Sequence, residues 1–149
     1  MANKRINTMG SEVVEGFTCK PTKLDPNKPI MFFKSHLFIC NAQRCQTASA
    51  GENLVETLRQ LLQELGLHQG ENRIKISKTE CFGACRFRHV AVLYQNSFHT
   101  HNPCNNTLWL KNIHRYSLEQ WKALFLALSS DTPLCEKTYP RIPMSPYNA

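Results

Sequence analysis

His36-Leu37-Phe38-Ile39-Cys40-Asn41-Ala42-Gln43-Arg44-Cys45 is the stretch on which the reading of this chain turns. A run rich in β-forming residues ends at a cysteine, and a second cysteine follows across a four-residue gap. Further along, Arg73-Ile74-Lys75-Ile76-Ser77 alternates as a half-buried strand does. Lys78-Thr79-Glu80-Cys81-Phe82-Gly83-Ala84-Cys85 leaves it as a loop with two cysteines of its own. Between the two runs, Leu54, Val55, Leu58, Leu61, Leu62 and Leu65 recur at helical spacing, with Ser49 or Asn53 as the cap and Gly66 as the stop. Strand, helix and strand in that order make a crossover between parallel neighbours. Loops that leave parallel strands open at one end of the sheet, so the pairs Cys40/Cys45 and Cys81/Cys85 are expected to converge.

Outward from this unit, Val90-Ala91-Val92-Leu93-Tyr94 and Thr107-Leu108-Trp109-Leu110 read as two further strands, joined by a long polar connection over residues 95–106. Ser117 caps a second helix with Leu118, Trp121, Leu124, Phe125 and Leu128 on its apolar face. The expected fold class is α/β, a small sandwich with a mixed four-stranded sheet and two main helices. Residues 41–48 read as a loop. The folded domain is expected over 36–130. Residues 1–35, with Pro21, Pro26 and Pro29, form an extended N-terminal arm, with a short strand at 13–17. Pro133, Pro140, Pro143 and Pro146 make 131–149 a C-terminal arm without regular structure.

The 149 residues carry 18 basic against 11 acidic side chains, a net charge of +7. The basic residues are spread along the chain without a polybasic run, so no motif supports nucleic-acid binding. The N-terminus has charge but no apolar run behind it, and no stretch is long enough for a membrane span. The expected compartment is the cytoplasm, where paired thiols bind metal more often than they form disulfides. An odd total of seven cysteines also speaks against a complete disulfide framework.

Two short pairs separated by thirty-five residues leave several inorganic centres to weigh. A plant-type ferredoxin needs a third cysteine where Ala48 stands, and a Rieske centre needs histidines within the pairs. A disulfide oxidoreductase needs a C-x-x-C that the chain lacks. A [2Fe–2S] cluster takes two thiolates on each iron, and the two pairs supply them. Structural zinc stays open, since four thiolates suit it too, although zinc knuckles favour two-residue gaps.

The same residues resemble the thioredoxin-like [2Fe–2S] ferredoxins. His36-Leu37-Phe38-Ile39-Cys40 leading to Cys45, then Cys81-Phe82-Gly83-Ala84-Cys85 before Val90-Ala91-Val92-Leu93-Tyr94, is similar to the family's cysteine motifs. Thr107-Leu108-Trp109-Leu110 and the Ser-Leu-Glu-Gln helix start are similar to its last strand and helix. The likeness covers about residues 36 to 130. The cysteine spacing looks most like the branch that includes the peripheral [2Fe–2S] subunit of respiratory complex I. The resemblance implies a thioredoxin-like sandwich, a [2Fe–2S] cofactor on Cys40, Cys45, Cys81 and Cys85, one-electron transfer to a redox partner protein, and a homodimer. Two departures stand out. Phe87-Arg88-His89 replaces a Gly-Pro found in many members after the second pair, and the connection carrying Phe98, His99, His101 and Cys104 is longer than usual.

No carboxylate pair, no nucleophile with its base and no Gly-rich phosphate loop is present, so the chain reads as an electron-transfer protein rather than an enzyme. The rival readings are a zinc-stabilised interaction module and a cluster-based redox sensor. Arg44, Arg86 and Arg88 flank the cysteines, where they are expected to raise the potential and to help dock an acidic partner. His99, His101 and Cys104 read as ordinary loop residues, Cys19, Cys104 and Cys135 as spare thiols, and Trp109 and Trp121 as core or dimer contacts.

Overall fold

Alternation along Ser35–Cys40 (β1) sends Leu37 and Ile39 into the core and leaves His36, Phe38 and Cys40 on the opposite face. The computed structural model describes residues 5–6, 12–13, 32–49, 53–100 and 103–145. β1 pairs in parallel with Ile74–Thr79 (β2), in a register that sets Leu37 beside Ile76 and Cys40 beside Thr79. Its other edge pairs antiparallel with Ala91–Gln95 (β3), which in turn pairs antiparallel with Leu108–Leu110 (β4). The strand order is β2-β1-β3-β4, the mixed four-stranded sheet of an α/β sandwich.

Helices cover one face. Leu54–Glu64 (α2) is the crossover between β1 and β2; the Asn53 side chain accepts from the Glu56 N–H at 3.5 Å. Gly66 follows at φ +71, in the left-handed region that glycine enters without strain. Leu118–Ser129 (α3) starts at a full capping box: Ser117 Oγ accepts from the Gln120 N–H and Gln120 Oε1 accepts from the Ser117 N–H. Val55, Leu58, Leu61 and Leu62 of α2 and Trp121, Leu124, Phe125 and Leu128 of α3 close on Leu37, Ile39, Ile74, Ile76, Ala91, Leu93 and Leu110. Burying each large apolar side chain is worth about 1.5–3 kcal/mol, which makes this cluster the main source of stability.

Residues 41–48, expected as a loop, contain a helix of six residues, Gln43–Ala48 (α1). Fewer than two turns are too short to show an apolar period. It is held instead by side-chain bonds, Gln46 Nε2 to the Asn41 carbonyl at 2.6 Å and Thr47 Oγ1 to the Gln43 carbonyl at 2.8 Å, and by burial of Cys45. The C-terminal residues 131–145 hold no helix or strand, yet they are packed. Leu134, Tyr139 and Ile142 are buried, Arg141 bridges Leu110, and the Ile142 N–H donates to the Trp109 carbonyl at 2.9 Å.

The chain divides into two units, Met1–Phe32 and Phe33–Ala149. In the first, Arg5–Ile6 pairs antiparallel with Glu12–Val13. Of the strand expected at 13–17, Val13 belongs to that ladder and residues 14–17 lie outside the described residues, as does Cys19. Among the described residues no helix is long and apolar enough to cross a membrane.

Candidate metal centre

Cys40 closes β1 and Cys81 stands two residues beyond the end of β2, so parallel pairing delivers both cysteine segments to one end of the sheet. The Asn41 N–H bonds the Thr79 carbonyl at 2.8 Å and ties the two exits together. α1 then turns the chain back and buries Cys45 at 1% exposure, against 2% for Cys40. Cys81 is exposed and Cys85 half-exposed, with 3.3 Å between their sulfurs. One pair lies inside and the other at the surface.

The segments share an apolar cluster separate from the main core. Cys40, Cys45, Val90 and Ile142 pack with Ala42, Phe82, Ala84, Phe87 and Trp109. Phe82 and Ala84 come from between Cys81 and Cys85, so the second loop lies against the first pair. The Phe82 ring meets Trp109 edge-on at 5.5 Å. Gly83 adopts φ +76, and its N–H donates to Cys81 Sγ at 3.2 Å. A side chain at Gly83 would strain this left-handed turn.

Electrostatics divide along the same line. Burial pushes the Cys45 thiol up to about 12, a Val90 backbone bond opposes that shift, and the Cys40 and Cys85 thiols add to it. The Cys81 thiol is lowered, first by the Gly83 N–H, then by Cys85, and with a contribution from Arg44. A buried thiol of this kind loses its proton readily only to a metal cation.

His89, which sequence reasoning passed over, is the joint of the site. It is 3% exposed. Its Nε2 donates to the Cys40 carbonyl at 2.8 Å, which fixes the tautomer, so Nδ1 accepts from Ser49 Oγ at 2.5 Å. Its backbone N–H donates to His114 Nδ1 at 3.3 Å, and its neighbour Val90 accepts from the Cys40 N–H at 3.1 Å. His89 and its neighbour Val90 thus bind the end of β1 to the end of α1, and with it Cys40 to Cys45. Both ring nitrogens are engaged, and His89 is not a ligand.

Two thiolates on one tetrahedral metal with bonds of about 2.3 Å lie about 3.8 Å apart; the Cys81 and Cys85 sulfurs, at 3.3 Å, are near neighbours that a shared metal would spread slightly. Among the described residues, no three His, Cys, Asp or Glu side chains are gathered tightly enough to hold one metal ion. The four thiols are the sulfur donors that the two segments bring to this end of the sheet. The all-thiol donor set fits a [2Fe–2S] cluster with two thiolates to each iron.

Of the remaining expected residues, Trp109 alone among those described lies in the cysteine cluster. His99 Nδ1 faces Asn96 Nδ2 at 3.1 Å, and exposed Cys104 donates to the Asp131 carbonyl at 3.4 Å. His101 is outside the described residues. Cys135 is exposed, and its thiol is lowered by the Thr138 and Lys137 backbone N–H groups. Trp121 belongs to the main core and Trp109 to the cysteine cluster. Compared with family models and with curated proteins, the chain matches none.

Proposed function

We propose that this chain is a one-electron carrier of the thioredoxin-like ferredoxin kind, with Cys40, Cys45, Cys81 and Cys85 holding a [2Fe–2S] cluster. The observation that carries the reading is the meeting of the two cysteine segments at adjacent ends of β1 and β2, in one apolar cluster, with the Cys81 and Cys85 sulfurs 3.3 Å apart. When bound, such a cluster would accept one electron reversibly and become one charge more negative. The residues around it favour that change. Gly83 directs an N–H at the Cys81 sulfur, and Arg44, Arg86 and Arg88 place positive charge on the two cysteine segments, which raises the potential. Cys40, Cys45, Val90 and Ile142 keep water from the inner side, while Cys81 brings the outer side to the surface. The same reading takes the chain as a homodimer in the reducing cytoplasm, serving a protein partner and not a small-molecule substrate.

A binuclear cluster takes two thiolates on each iron, as the two cysteine pairs of the sequence supply, whereas zinc would take all four sulfurs around one ion. Single serine substitutions decide between the four proposed ligands and the spare thiols. Cys40→Ser, Cys45→Ser, Cys81→Ser and Cys85→Ser are each expected to strip most of the iron from anaerobically purified protein, with Cys104→Ser and Cys135→Ser retaining it. Loss of iron from the Cys104 variant, or retention in all four ligand variants, overturns the assignment.

A further inference from the structure

The two segments that carry the cysteines hold Arg44 on α1, Lys78 near the end of β2, and Arg86 and Arg88 after Cys85, against the single carboxylate of Glu80, and all four cations are exposed. None of the four pairs with a carboxylate among the described residues; the ion pairs there are Lys34 with Asp131 and Arg59 with Glu56, away from these segments. Arg88 Nη1 donates to the Cys85 carbonyl at 2.9 Å, so this guanidinium is fixed beside the outer thiol pair. Lys111 Nζ adds a fifth cation, 5.6 Å from the centre of the Phe87 ring. Half-buried Phe82, Phe87 and Trp109 lie among these charges. Uncompensated cations around an apolar patch complement an anionic surface with apolar contacts of its own.

We infer that the surface formed by residues 78–88 with Arg44 and Lys111 is the docking face for an acidic protein, which approaches over Cys81 and Cys85. The inference rests on the carrier reading and adds the side of approach. Cys40 and Cys45 are buried, so the outer pair is where a partner comes nearest to the proposed cluster. A protein fits better than a nucleic acid. Base stacking needs free aromatic faces, whereas Phe82 is engaged edge-on with Trp109 and Phe87 lies under Lys111.

The test uses the full chain, fluorescent poly-L-glutamate as the acidic probe and duplex DNA as its competitor class. Iron content is measured on every sample. Arg86→Gln with Arg88→Gln is compared with Lys122→Gln plus Lys137→Gln, which removes the same net charge from exposed positions on α3 and the C-terminal segment. At low salt the arginine pair is expected to weaken poly-L-glutamate binding about tenfold and the lysine pair less than about twofold, and raising the salt should erase the difference. Equal weakening by both pairs overturns the docking face. So does tighter binding of duplex DNA that depends on the same arginines. Protein without iron that still binds poly-L-glutamate through Arg86 and Arg88 keeps the face and rejects the carrier reading, so the two failures are distinguishable.

Discussion

His89 joins two segments that are otherwise held by few bonds, through Cys40 at 2.8 Å and Ser49 at 2.5 Å. Replacing His89 with Phe removes the bond to the buried Cys40 carbonyl and the one to the half-buried Ser49 hydroxyl, which costs about 2 kcal/mol. Urea unfolding should record that loss, and iron retention should fall with it. Ser49→Ala removes one bond and costs about 1 kcal/mol. His36 makes a second residue-scale prediction. Burial lowers its imidazole to about 4, helped by Lys75 and Arg73. A folded-state value below the ordinary 6.5 means the unfolded chain takes up the proton first. Stability is therefore full above about pH 6.5, declines as pH falls toward 4, and flattens below, by on the order of 2 kcal/mol for this group. His36→Gln should reduce the decline measured by urea unfolding across that window. The cysteines were legible as residues because their pairs are local. His89 was visible only as a departure from Gly-Pro, since its partners lie 49 and 40 positions away and leave no local pattern.

α3 begins at a reciprocal cap, and this is where element-scale energetics separate from the site. Ser117→Ala should cost about 1 kcal/mol in thermal or urea unfolding, with no change in iron content, because Ser117 is exposed and belongs to neither cysteine segment. The long elements were readable from local pattern: α2 from its leucine period, β1 from its run of β-forming residues, β2 from alternation, and α3 from its cap and apolar face. Their ends were less so. β3 runs one residue past the expected strand to Gln95, because buried Gln95 is held by Asn106 and Asn105 across the connection, with N–H to Asn106 Oδ1 at 2.9 Å and Oε1 from the Asn105 N–H at 2.8 Å. α1 was missed because a six-residue helix has no period to read, and its anchor is burial of a cysteine that the sequence marks only as a ligand.

Over the whole molecule, the parallel β1-β2 pairing is the feature that makes one site from two distant segments, and it followed from the strand, helix, strand order of the sequence. The packed C-terminal segment did not follow, because prolines announce irregular backbone and say nothing of burial. Ile142 lies against Cys40, Cys45 and Val90, so Ile142→Ala should cost about 2 kcal/mol and lower iron retention, whereas exposed Met144→Ala should do neither. All of this rests on one inorganic centre spanning both thiol clips. The direct measurement is iron and acid-labile sulfide per chain in anaerobically purified protein, with electron paramagnetic resonance after reduction by dithionite. Two irons and two sulfides per chain, with a spin-half signal that integrates to one per chain, are the predicted result. Colourless protein with one zinc per chain, or with no metal, contradicts the account.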